Sequence, residues 1–351
     1  MPADLIPVFD GHNDTLLRLV LADGGRTAER FFEEGSTGHI DLPRARKGGF
    51  CGGLFAMFTP SRLLDDETLD LSPDDPANFS QVSQENAEPF TRKMIDMALS
   101  IERLSDGEVV IAHSATEARR AMAEGKLAII LHIEGVECLS PDLSNLDELY
   151  HVGLRSLGPV WSRKNAFADG VPMDFPGSPD TGSGLTEAGR ELIRACNMMG
   201  IMVDLSHITE KGFWDIAKLS TKPLVASHSN AHSICQSPRN LTDKQLEAVR
   251  ASHGLVGINF HVGFLRPDGA KDERTGLDQI VAHTDHLLEK LGEDGVAFGS
   301  DFDGCTVPAA IGDVAGMPRL IERYRQAGYG ETLIRKIAAE NWLSLLERTG
   351  L

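Results

Sequence analysis

Basic residues are scarce in this 351-residue chain: 34 Lys and Arg stand against 52 Asp and Glu, a formal charge of −18. That balance excludes nucleic-acid and anionic-membrane surfaces, which need clustered cations. Cysteine is scarce too. The five, Cys51, Cys138, Cys196, Cys235 and Cys305, are odd in number and widely spaced, with no CxxC pair. Neither a disulfide framework nor a zinc ribbon fits them, and most read as reduced, buried small hydrophobes. Long apolar runs are missing, since stretches such as 127–133 fall far short of the roughly 20 residues a membrane span needs. The opening MPADLIPVFDGHND has no basic segment followed by an apolar one, so no signal peptide is expected. The expected setting is a soluble protein of the cytoplasm.

Familiar catalytic signatures are absent as well. There is no GxSxG elbow, and no cysteine sits in an evident His-paired setting. The pairs Gly24-Gly25 and Gly52-Gly53 do not form a P-loop, and no GxGxxG follows the first apolar run. The rest of the composition, 41% hydrophobic, 25% charged and 6% aromatic, is that of an ordinary globular protein. Disorder, coiled coil and collagen-like structure are therefore excluded.

What is present is a rhythm. Short apolar runs occur at 7–10, 49–58, 127–134, 154–161, 201–207, 224–228, 255–260 and 296–301. They are nearly continuous rather than alternating, which suits strands buried on both faces of a parallel sheet. Helical spacing fills 84–103, 116–124, 145–152, 186–199, 211–219, 242–251 and 277–291, with two more helices at 319–327 and 331–348. Thr186 and Thr242 are placed as helix N-caps and Gly200 as a C-terminal stop. Eight alternations predict an α/β fold, a (β/α)8 TIM-type barrel with long loops on its C-terminal face and C-terminal helices. An open doubly wound sheet is the alternative. A length that first suggests two domains is better read as one domain, 1–351, whose helical tail spans about 319–348. The charged segment 59–83 and the Gly-, Pro- and Asp-rich segment 162–184 are expected to be loops on the functional face.

Polar residues fall where such a barrel would need them. His12 and Asp14 follow the first strand as His-Asn-Asp, and extended backbone turns residues i and i+2 to one side. Glu134, His207, His228 and Asp301 end four further strands, in LHIEG, VDLSH, VASHS and AFGSD. Imidazoles and carboxylates together suit a divalent metal such as zinc. Two metals need a shared ligand, which a carboxylate can supply. A single histidine at a strand end is more often structural, so the weight rests on the conjunction. The other histidines read as packing or solvated groups, with His261, just past a strand end, the one expected to line a pocket.

The chain resembles the renal (membrane) dipeptidase family of zinc peptidases, within the amidohydrolase-type barrels. The resemblance rests on DGHNDTLLR at 10–18, HIDLPRARKGGFCGG at 39–53, HIEG at 132–135 and GLTEAGRELIRACNMMGIMVDLSH at 184–207. It continues through ASHSNAHSICQSPRN at 226–240, GLVGINF at 254–260 and GSDFDG at 299–304. It implies two Zn2+ ions, or other divalent metals: His12 and Asp14 on the first, His207 and His228 on the second, and Glu134 bridging. It further implies that Arg239 binds the substrate's terminal carboxylate and that Asp301 handles the proton. Trp161 stands where mammalian members carry a substrate-contacting His, and His261 where they carry Tyr. Both are expected to bind substrate.

The implied activity is hydrolysis of a dipeptide, L-Xaa-D-Xaa or L-Xaa-L-Xaa, by a hydroxide shared between the metals. Deacylation of N-acyl amino acids, or opening of cyclic amides or lactones, is the alternative for the same site, and a non-catalytic barrel is the rival from another class. The resemblance also implies a homodimer.

Overall fold

The computed structural model describes residues 5–22, 28–35, 37–62 and 76–351. The acidic run expected at 65–75 and the pair Gly24-Gly25 lie outside the described residues. Among the described residues nine strands form: β1 Val8–Asn13, β2 Phe50–Phe58, β3 Val109–Ile111, β4 Leu127–Glu134, β5 Leu154–Gly158, β6 Met202–Val203, β7 Val225–Ala226, β8 Leu255–Ile258 and β9 Val296–Phe298. Every pairing between these strands is parallel. One sheet runs β1-β2-β4-β5-β6, and a second runs β7-β8-β9. Single parallel bridges, Asp204 to Val225 and Asn13 to Phe302, join their flanks. The result is a curled parallel sheet wrapped by helices.

The apolar runs explain these strands. All nine residues of β2 and all eight of β4 are buried, as strands covered on both faces must be. β3 was not among the expected strands. It takes the start of β4, pairing Val109 with Leu127 and Ile111 with Ile129, and β5 takes the end from Leu131 onward. The runs at 201–207 and 224–228 shorten to two-residue strands, because their polar ends leave the sheet to form the functional rim. Three short helices, Thr15–Leu21, Leu42–Gly48 and Val262–Leu265, also went unpredicted.

Expected caps form. Thr186 accepts from Gly189 N, Thr242 and Gln245 make a capping box, and Gly200 ends its helix at φ +73°. The tail is Met317–Gln326, Glu331–Arg335 and Asn341–Thr349, the last two joined by a π-helical turn at Lys336–Glu340. Its anchor is Trp342, fully buried, whose indole N–H donates to Phe298 O at 2.7 Å. Gly11 permits that seat, since a Cβ there would lie 2.3 Å from the Trp342 ring and 2.4 Å from Ser227 O. Strand β1 therefore sits close against the tail, and the next residue along it is His12.

Candidate metal centre

Strand ends carry the predicted donors to one point. Glu134 Oε1 lies 3.0 Å from His207 Nε2, 3.3 Å from His228 Nε2 and 3.7 Å from His12 Nε2. His12 Nε2 is 3.4 Å from Asp14 Oδ2, and the His12 and His228 rings stack at 3.8 Å. Three groups each hold their ligand atoms within 4.8 Å of one another: His12 with Asp14 and Glu134, Glu134 with His207 and His228, and His12 with His228 and Asp301. Glu134, His12 and His228 each belong to two of these sets.

The rings are oriented from behind. His207 Nδ1 is 2.8 Å from Ser162 Oγ, and His228 Nδ1 is 2.7 Å from Ser227 Oγ. Each contact leaves Nε2 turned to Glu134, the atom a metal would take. Asn259 Nδ2 donates to Asp301 Oδ2 at 2.9 Å. His207 and Asp301 hold φ of +68° and +61°, uncommon for residues with a side chain and a sign of imposed backbone at a functional rim.

The electrostatics fit a site for a cation. Burial pushes Glu134 up to about 8, Asp14 and Asp301 add to the rise, and His12 opposes it. Burial raises Asp301 to about 6, again with Asp14 adding. Burial alone would lower His12, but Glu134, Asp14 and Asp301 outweigh it and carry the ring up to about 10. His207 and His228 are driven well below the imidazole range by burial, as neutral ligands should be. Both ring nitrogens of His12 and Oδ1 of Asp14 are buried with no hydrogen-bond partner. Three mutually repelling carboxylates beside lone-pair nitrogens suit divalent metal, and the residues present fit it.

A cavity of about 450 Å3 opens over this cluster. Asp14, Glu134, His207 and Asp301 line it, and so do the expected substrate residues Trp161 and His261. His261 Nδ1 donates to Thr306 O at 3.2 Å, and burial pushes the ring down to about 4. Loop 162–184 reaches the cavity through Met173, and the segment after residue 75 through Asn78 and Phe79. Arg239 lies buried beside the cavity rather than on its lining. Its Nη2 donates to His228 O at 3.0 Å, its Nε has no partner, and its guanidinium stands 5.4 Å from the Phe264 ring. His12 and His228 lie beneath the lining.

Sequence reading missed the supports. Asp10 accepts from Ser300 N and Oγ, each at 2.7 Å, tying β1 to the loop that carries Asp301. Asp204 accepts from the backbone and hydroxyl groups of Ser206 and Ser227. Asp-x-His at 10–12 and Asp-x-x-His at 204–207 were the available signals. His132, read as packing, is buried edge-on to His12 with ring centres 5.6 Å apart. Gly304 is required by crowding, because a Cβ there would lie 2.1 Å from Asp14 Oδ2 and 2.6 Å from Asp301 Oδ1.

Fold and site together define a metal-dependent hydrolase with an amidohydrolase-like α/β fold. The chain belongs to the membrane dipeptidase family (Peptidase family M19), whose family model matches residues 3–350, and is a metallodipeptidase, a hydrolase of peptide bonds. It is 48% identical to a metallopeptidase from Rhodobacter sphaeroides, over 99% of this chain and 100% of that one, with a TM-score of 0.93. That crystal structure is liganded with a phosphinate mimic of the dipeptide L-Ala-D-Ala. The metallopeptidase dipeptidase AC is 49% identical over 99% of both chains, TM-score 0.92. A Klebsiella pneumoniae protein from the pqqA 5′ region is 49% identical over 69% of this chain and 90% of its own length. Among the described residues no helix is long and apolar enough to cross a membrane.

Proposed function

We propose that this centre takes two zinc ions and hydrolyses L-Xaa-D-Xaa or L-Xaa-L-Xaa dipeptides. The observation that carries the reading is Glu134 Oε1, within 3.7 Å of three imidazoles and common to two ligand sets. His12, Asp14 and Glu134 hold one ion; Glu134, His207 and His228 hold the other. Zinc bound there supplies Lewis acidity to the carbonyl and makes water more acidic. We also read the two sheets and their two bridges as one closed eight-stranded barrel, and the chain as a single domain.

The protein's own groups do the rest. Arg239 takes the substrate's terminal carboxylate: it is a buried guanidinium whose Nε has no partner, and its fork geometry suits two oxygens. Asp301, steadied through Oδ2 by Asn259, accepts the proton released by the attacking water and returns it to the leaving amine. Trp161 can donate from its indole N–H but cannot carry the charge a histidine would. His261 adds a neutral ring to the wall. The L-Ala-D-Ala mimic on the Rhodobacter sphaeroides metallopeptidase supports a D-residue at the C-terminal position.

The test is a screen of L,L-, L,D- and D,L-dipeptides against N-acyl amino acids, with elemental analysis of the purified protein. Two zinc ions per chain and cleavage of dipeptides alone are expected. Faster turnover of N-acyl amino acids, or one ion at saturation, would overturn it.

A further inference from the structure

The cavity has two unlike walls, and strand order sets them on opposite sides of the metal ligands. β7 and β8 lead to His261 and Phe264 on the lining, with Arg239 buried beside Phe264. Across the ligands, β2 ends at Phe58 and β5 leads to Trp161, joined there by Phe79 from the turn Pro76–Phe79. Trp161 stacks on Phe79 with centroids 5.3 Å apart and planes at 14°, and it leans on Phe58 at 5.0 Å. The same indole stands 5.8 Å from the His207 ring. All three aromatics line the cavity.

This wall is braced and neutral. Arg163, with a fully buried side chain, lies over Phe58 at 5.0 Å and over Trp161 at 5.6 Å. Its charge is already engaged: Nε donates to Glu137 at 2.6 Å, Nη2 to Thr59 O at 2.6 Å and Nη1 to Ser61 Oγ at 3.0 Å. Arg163 does not line the cavity, so it holds the aromatics from the far side. Because one cation already draws on these ring faces, a second gains less from them. An acidic side chain would lose its water against carbon, with the Trp161 indole N–H the one donor these three rings offer in exchange.

We propose that Phe58, Phe79 and Trp161 form the subsite for the side chain of the dipeptide's N-terminal residue, selecting large apolar or aromatic groups. The inference rests on the reading that Arg239 anchors the C-terminal carboxylate. With that end on the β7–β8 side and the scissile carbonyl at the ligands, the N-terminal side chain meets the aromatics. Burying it there removes apolar area from water and adds ring-face contact.

The experiment measures kcat/KM of the zinc-loaded protein on Gly-, L-Ala-, L-Leu-, L-Phe-, L-Glu- and L-Lys-D-Ala, and on a matched L-Ala-D-Xaa series. Wild type should favour L-Leu and L-Phe over Gly by about ten- to a hundredfold. Trp161→Ala and the milder Phe79→Leu, each checked by thermal melting, should shrink that ratio while barely moving the ratios of the L-Ala-D-Xaa series. Dipeptide cleavage without the preference, or equal losses on every N-terminal residue, overturns the subsite and leaves the dipeptidase reading intact. A shift confined to the L-Ala-D-Xaa series reverses the substrate and overturns the Arg239 anchor as well. A wild type that cleaves no dipeptide overturns the reading on which the subsite rests.

Discussion

Asp204 is joined to the His228 ring through the Ser227 hydroxyl: Ser227 Oγ donates to Asp204 Oδ2 at 2.5 Å and stands 2.7 Å from His228 Nδ1. With its proton committed to Asp204, the serine can only accept from the ring, so Nδ1 carries hydrogen and Nε2 carries the lone pair. Asp204→Asn should therefore weaken zinc binding by about ten- to a hundredfold. Competition against a chelator reads this directly, whatever the activity. Unchanged affinity would show that the ring is oriented by packing alone.

Gly304→Ala places a methyl where Asp14 and Asp301 now sit. The metal-free chain should melt close to wild type, because the displaced atoms are the ends of two side chains. Zinc content should fall, and kcat/KM should drop about a hundredfold, as expected when reacting groups shift by about 1 Å. Full occupancy with normal turnover would mean that the loop relaxes without cost.

Arg239→Ala should raise KM for free dipeptides about ten- to a hundredfold, the worth of hydrogen bonds to a charged partner. It should matter far less for dipeptide amides. Lysine should not restore binding, since a point charge lacks the planar fork. Equal losses on acids and amides would remove the anchor role.

Asp301→Asn keeps the shape of the side chain and removes its capacity to take a proton. Expected is a fall in kcat of about a hundredfold to ten-thousandfold with zinc retained. Retained turnover would assign the proton to another group.

Acid should loosen the chain through a group remote from the cluster. His283 is fully buried, accepts from Ala231 N on Nδ1 at 3.1 Å and donates from Nε2 to Leu265 O at 2.9 Å. Burial lowers its pKa from 6.5 to about 4. Below the ordinary value the unfolded chain binds a proton that the folded chain refuses. Stability is therefore full above about 6.5 and is lost as pH falls toward about 4, by about 3 kcal/mol from this ring. Urea titrations of wild type and His283→Gln across that window should diverge, with the variant's slope shallower. Parallel curves would clear His283.

How far the chain could be read depended on the scale of each feature. β2 and β4 were plain, because long runs such as FCGGLFAMF have only one environment to occupy. β3 was not, since Val-Val-Ile is too short to show a period and pairs beside another short strand. His12, Glu134, His207 and His228 stood out by chemical type at strand ends. Asp10 and Asp204 did not, because their partners are hydroxyls and amides that a pattern search has no reason to weigh. Phe58 and Phe79 look like ordinary core residues until the loop after residue 75 folds back. Trp161 was noticed as a departure, but its company was out of reach.

The hydrogen bonds from Ser300 to Asp10 span 290 positions of chain. Assembly of the centre therefore waits on the slowest kind of folding event, a meeting of distant segments. A chain still being synthesised, with residue 300 not yet exposed, holds His12 and Asp14 without the loop that brings Asp301 and Gly304 against them. All five proposed metal ligands lie before residue 229, so the late contact adds Asp301, the proposed proton carrier, to a ligand set already synthesised. The contact that shapes the active site thus ties one of its earliest residues to one of its latest.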